Sequence, residues 1–152
     1  MFDIVTIEKD NPFVQEALQA ILSEGKNILM GSPEGNYRLI EGNKISKFGN
    51  GGTCNKLVII GTGGPNMLSN HLTWRKYCEQ LPHEVVKEWQ KKPGVETVWI
   101  VASGVSAPGN AVGHGNIANE VKSMFPDAKV WATSGTIDSH TLDVKGGVWE
   151  KL

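Results

Sequence analysis

Two short segments of this 152-residue chain are placed to do chemistry, because each joins a run of strongly apolar residues to a run of small ones. They are Ile59-Ile60-Gly61-Thr62-Gly63-Gly64 and Ile100-Val101-Ala102-Ser103-Gly104. In an open α/β sheet, ligands bind beyond the carboxyl ends of the strands, so a nucleophile or an anion cradle would stand where these runs end. Ser103 offers a hydroxyl nucleophile, which needs a base within hydrogen-bond reach. Among the histidines, His71 and His114 are the candidates for that base. The GxSxG elbow of hydrolases is absent, since Val101 stands where its first glycine belongs. Gly61, Gly63 and Gly64 would let backbone N–H groups approach a phosphate. However, Asn66 occupies the place of a third glycine, and no Gly-Lys-Ser/Thr follows. A tight turn at the first segment and close packing at the second account for them at least as well.

Composition narrows the classes of function. Fifteen basic against 16 acidic residues give a net charge of −1, so no global field draws the chain to nucleic acid or an anionic membrane. The two cysteines, Cys54 and Cys78, form no CxxC and no Cys/His cluster at metal-ligand spacing, so neither a disulfide scaffold nor a metal site is expected. No stretch approaches the ~18 apolar residues of a spanning helix, and the opening MFDIVTIEKDNPF lacks the features of a signal peptide. These features read as a protein that folds in, or is delivered to, a reducing cytosol.

The elements that must hold the two segments follow from periodicity. Phe2 to Ile7 reads as a strand, and Asn11-Pro12 as the cap and first position of a helix with the apolar stripe Val14, Ala17, Leu18, Ile21 and Leu22, ended by Gly25. Asn27 to Met30 and Tyr37 to Ile40 read as a hairpin about the turn Ser32 to Gly35. Gly42 to Asn55, polar and rich in glycine, reads as a surface loop. Leu57 to Ile60 and Val95 to Val101 have the continuous apolar character of central strands. Between and after them the pattern predicts helices over Pro82 to Lys92 and near Gly113 to Phe125, then a strand over Lys129 to Ala132. Thr136 to Leu152 reads as a hairpin about Lys145-Gly146-Gly147. The whole predicts one α/β domain over residues 1–152, with a central, mostly parallel sheet flanked by helices and a C-terminal β-hairpin.

The order of these segments resembles a family, the inositol-hexakisphosphate-activated autoprocessing cysteine protease domains of multifunctional RTX toxins and, more distantly, of large clostridial glucosylating toxins. The likeness runs from Phe2 to Leu22, through Glu34-Gly35-Asn36-Tyr37-Arg38 and Leu57 to Gly63. It resumes at Ile100-Val101, Gly113-His114 and the helix ending near Met124, and closes at Gly147-Val148-Trp149-Glu150-Lys151. It implies a caspase-like sheet. In the family, a histidine within Gly-His-Gly pairs with a cysteine at the end of the next central strand. The corresponding positions here carry Thr62 and Ser103. Threonine does not titrate near pH 7 and an isolated serine is not ionised there, so the family mechanism is lost.

The resemblance also implies a basic cleft for the activating polyphosphate. Lys56, Lys145 and His140 are what remains of it, while Thr133 stands in place of an arginine, and Asp138, Asp143 and Glu150 add negative charge. Binding of inositol hexakisphosphate is therefore expected to be weak or absent, and no other cofactor is implied. The expectation is a catalytically inactive homologue, a pseudoprotease with a binding or structural role in a toxin or effector. Its partners would be neighbouring domains or a host protein, docked in an emptied groove between Thr62 and Ser103. It would be secreted by a non-classical route and work in the host cytosol, the alternative location being the bacterial cytoplasm. The alternative function is a hydrolase of changed mechanism, using Ser103 with His71 or His114.

Overall fold

The computed structural model describes residues 1–28, 36–49, 54–68, 72–91, 94–109 and 115–152. The first strand, β1 (Phe2–Thr6), is buried along its whole length. Helix α1 (Pro12–Ile28) follows. It is opened by the Asn11 side-chain oxygen, which accepts the N–H groups of Phe13 at 2.9 Å and Val14 at 3.4 Å. The helix runs past Gly25, expected to end it, so Asn27 and Ile28 are helical rather than the start of a strand. One glycine inside a helix costs about 1 kcal/mol against alanine. The buried stripe of Val14, Ala17, Leu18 and Ile21 outweighs that. The remainder of the expected strand at 29–30 and the turn at 32–35 lie outside the described residues.

Strand β2 (Tyr37–Glu41) pairs parallel to β1, with Asp3 opposite Arg38. The segment expected to be all loop contains a further strand, β3 (Lys44–Lys47), antiparallel to β2. On the other side of β1 lies β4 (Lys56–Ile60), also parallel. A short helix that periodicity did not suggest, α2 (Trp74–Cys78), is capped by the Thr73 hydroxyl. Then come α3 (His83–Gln90), β5 (Thr97–Val101), α4 (Ile117–Met124) and β6 (Lys129–Ala132).

The C-terminal hairpin is formed by β7 (Thr136–Ile137) and β8 (Val144–Lys145), and its turn is not at Lys145-Gly146-Gly147. The chain reverses instead between Asp138 and Asp143, where the Asp138 carboxylate accepts the N–H groups of His140 at 2.8 Å and Thr141 at 3.0 Å. Those bonds hold the Asp138 carboxyl below its usual pKa range. Gly147 lies against Gly135, where a side chain would come within 2.9 Å of the Gly135 nitrogen. The chain then leaves the hairpin and β9 (Glu150–Lys151) pairs antiparallel with β6.

The result is an α/β architecture with a seven-stranded sheet in the order β3-β2-β1-β4-β5-β6-β9, parallel except at its two edges. Alternation along the central strands feeds two cores. On one face Phe2, Ile4, Val58, Ile60, Trp99 and Val101 meet α1 together with Ile137 and Leu142 of the hairpin. On the other, Val5, Leu57, Ile59, Val98 and Ile100 meet α2, α3 and α4 through residues that include Trp74, Trp89 and Val121.

Candidate functional site

Parallel pairing of β4 with β5 sets Ile60 opposite Val101, so Thr62 and Ser103 stand level with each other, each two residues beyond that pair. The ladder continues for one more bond, from the Gly61 N–H to the Val101 carbonyl at 3.2 Å. Beyond it the first loop turns across the second. Gly64 donates its N–H to the Ser103 carbonyl at 2.8 Å, and Gly63 donates to the Leu68 carbonyl at 2.9 Å. Gly63 has φ +97°, and a Cβ there would overlap the backbone nitrogen and carbonyl oxygen of Ser103. Only glycine fits that position.

The Ser103 hydroxyl is also engaged. Its Oγ accepts the N–H of Ile137 at 2.9 Å, which ties β7 to the end of β5. Neighbouring bonds strengthen the same seam: Gly104 N–H to Gly135 O at 2.9 Å, and Ser106 N–H to Thr133 O at 3.2 Å. Thr133, fully buried, accepts the Gly135 N–H on its own hydroxyl at 3.0 Å. Between Thr62 and Ser103 the main chain of Gly63 and Gly64 lies against Ser103 and the hairpin engages its hydroxyl, while Thr62 and Ser103 both stay partly exposed. Surface grooves lie elsewhere among the described residues. One of about 700 Å³ is lined by Trp89, Glu96, Phe125 and Asp127, and one of about 610 Å³ by Gln15, Gln19, His140 and Thr141.

His71 and His114, the proposed bases for Ser103, lie outside the described residues. The three candidate anion-binding residues do not converge. Lys56 opens β4, at the amino end of the sheet, about 13 Å of strand from Ile60 at its carboxyl end. Lys145 and His140 belong to the hairpin, at that carboxyl end. His140 is 73% exposed and points to Glu16 on α1, with Nε2 3.5 Å from a carboxylate oxygen, so its nearest charged neighbour would repel an anion. Among the described residues no group of three or more His, Cys, Asp or Glu is arranged to hold a metal ion. Nor is any helix among them long and apolar enough to cross a membrane.

A dense polar constellation stands at the opposite end of the sheet, and sequence reasoning missed it. Asp3, the second residue of β1, is fully buried, and its carboxylate accepts three charge-assisted or aromatic N–H donors. Arg38 Nε and Nη2 reach Oδ1 and Oδ2 at 3.0 and 2.6 Å, a two-pronged fork set by the Asp3–Arg38 register. The Trp89 indole N–H reaches Oδ2 at 2.6 Å from α3, and Arg38 Nη1 goes on to Glu88 at 3.2 Å. Burial works against the guanidinium charge, but its bonds and attraction to Asp3 and Glu88 prevail and hold the Arg38 pKa above its ordinary value. The Cys54 thiol lies beside this cluster and donates to the Lys56 carbonyl at 3.4 Å. Burial first, and then the Asp3 charge, push its pKa up to about 12, so it stays a neutral thiol. A second buried carboxylate, Glu120 of α4, accepts the Trp74 N–H at 2.6 Å and so caps α2. The legible signal was an aspartate inside an otherwise apolar strand, which requires a partner.

Against known proteins, no family model, curated protein or solved structure matches the chain.

Proposed function

We propose that this domain is a catalytically silent relative of the toxin autoprocessing protease domains it resembles, acting by binding a partner or positioning neighbouring domains. The observation that carries this reading is the Ser103 hydroxyl, which accepts the Ile137 N–H while Gly63 and Gly64 press on its backbone. A nucleophile needs an open approach on one side and a base on the other. At Ser103 the hairpin engages the hydroxyl and the neighbouring loop lies on its backbone, and Thr62 cannot act as the base. The dispersal of Lys56, Lys145 and His140 supports weak or no binding of inositol hexakisphosphate, because phosphate recognition depends on charges summed over one patch. On this reading the domain is carried by a bacterial toxin or effector, by a non-classical route, to a host cytosol.

The test is chemical. A fluorophosphonate probe should leave the protein unlabelled, and calorimetry with inositol hexakisphosphate at low salt should give no micromolar binding. Labelling that disappears in Ser103→Ala would establish the hydrolase instead.

A further inference from the structure

Beyond the strand ends, the sheet itself stops at a side that can meet a partner. Strand β3 pairs only with β2, and among the described residues no strand lies beyond it. Half of its backbone N–H and C=O groups therefore point away from the sheet, a template for one more strand. The other edge, β9, has only two residues and offers far less ladder.

The side chains of β3 define what could be added. Its pairing shifts register between Leu39 and Ile40, so Ser46 is the extra residue. That bulge brings Lys44 and Lys47, three apart in sequence, to the same face as Glu41 and Leu39, while Ile45 turns to the other face and packs on the core. Both lysines are exposed, and the Lys47 ammonium lies 3.8 Å from the Tyr37 ring centroid. Phe48 follows at once and is 71% exposed, the most exposed large apolar side chain among the described residues. A second copy of this chain laid on the same edge would set lysines against lysines. An acidic strand would set carboxylates against them.

We infer that the β3 edge is a docking rail for an extended acidic segment of another protein, which adds as an eighth strand. Its carboxylates lie on one face against Lys44 and Lys47, and an apolar side chain on the other reaches Phe48. The backbone ladder supplies affinity and the lysines select the sign of the partner. This deepens the binding reading above by naming the surface and the chemistry of the partner.

The probe is a labelled peptide, Glu-Val-Glu-Phe-Glu-Val-Glu-Val, followed by fluorescence anisotropy at low salt against the full chain. Saturable binding is expected, weakened about tenfold in Lys44→Glu/Lys47→Glu, where two exposed pairs are lost and two repulsions gained. The effect should shrink as salt is added. A peptide N-methylated at alternate residues should fail to bind, and the amides of Lys44 to Lys47 should become protected from exchange with the parent peptide. Absence of saturable binding, equal binding of the N-methylated peptide, or indifference to the lysine variant would each overturn the rail. Concentration-dependent dimers that vanish in the lysine variant would do so too, by naming a second copy as the occupant. None of these outcomes bears on the fluorophosphonate result, so the two readings fail separately.

Discussion

Replacing Arg38 by methionine removes the fork from a carboxylate that has no water to turn to. Asp3 is fully buried and Arg38 only 11% exposed, so the pair sits where charges are weakly screened. Methionine keeps the length and apolar stem of the side chain, so the change isolates the guanidinium. Removing one partner of a buried, hydrogen-bonded ion pair costs about 3–5 kcal/mol, since the remaining charge is left uncompensated. The Trp89 N–H at 2.6 Å softens this but supplies no charge. Against a total stability of about 5–15 kcal/mol for a domain of this kind, the loss is about a third. At about 2–4 °C per kcal/mol for this size, it should lower Tm by about 10 °C. The double variant Asp3→Leu/Arg38→Met removes both charges and should fall closer to wild type than Arg38→Met does, leaving about 1 kcal/mol for the stranded Trp89 donor. The two substitutions should therefore couple by at least about 2 kcal/mol in a double-mutant cycle. Urea unfolding followed by tryptophan fluorescence reads all three variants. An Arg38→Met cost below about 1 kcal/mol, or simple additivity, would refute the claim that this pair holds β1 to β2 and α3.

Three further outcomes follow from the same structure. Gly63→Ala should destabilise by on the order of 3 kcal/mol, because φ +97° and the overlap with Ser103 act together. Thermal unfolding that matches wild type would place the loop elsewhere. Ser103→Ala should cost about 1–2 kcal/mol by stranding the Ile137 N–H, read by urea unfolding, and an unchanged midpoint would mean that the bond is not made. Cys54 governs an alkaline effect. In the unfolded chain its thiol ionises near 9.0, but in the folded protein only near 12, because burial disfavours the thiolate. Above pH about 9 the unfolded state therefore binds fewer protons, and stability should fall by about 1.4 kcal/mol per pH unit up to about 12. Cys78, also pushed up by burial, adds to the same trend. In Cys54→Ala the decline measured by urea unfolding between pH 8 and 10 should be shallower, and an unchanged slope would mean that the thiol is not buried as described.

Where one physical signal dominated, the sequence was readable. Continuous apolar runs located β4, β5 and β6, and the Asn11-Pro12 cap located the start of α1, because burial and capping act locally. The end of α1 was misplaced because tertiary packing carries a helix through a glycine that ends it in isolation. β3 was missed because an edge strand with a bulge has neither alternation nor an apolar run, its residues being Lys44, Ile45, Ser46 and Lys47. The hairpin turn was assigned to the glycines near Lys145, whereas Asp138 bonds the turn through its side chain and leaves Leu142 to take φ +59°. Of the candidate site, the adjacency of Thr62 and Ser103 was legible from two strand ends. The bond from Ile137 to Ser103 was not, because it links residues that only the parallel register and the returning hairpin bring together.

The two ends of the sheet divide the work in an unusual way for an α/β protein. Strand carboxyl ends normally leave backbone donors and short polar side chains free to meet a ligand. Here Gly61, Gly63, Gly64 and Gly104 direct their N–H groups to protein carbonyls, and the Ser103 hydroxyl meets the hairpin. At the amino end, Asp3, Arg38 and Trp89 likewise bond one another under a covering helix. A sheet whose ends spend these groups on one another can still be addressed along its sides, where backbone groups go unpaired by topology. The long side is β3, whose lysines and bulge guard it against its own kind while leaving it open to a strand of opposite charge. That asymmetry is the physical reason to look for a partner at the edge before looking for a substrate at Ser103.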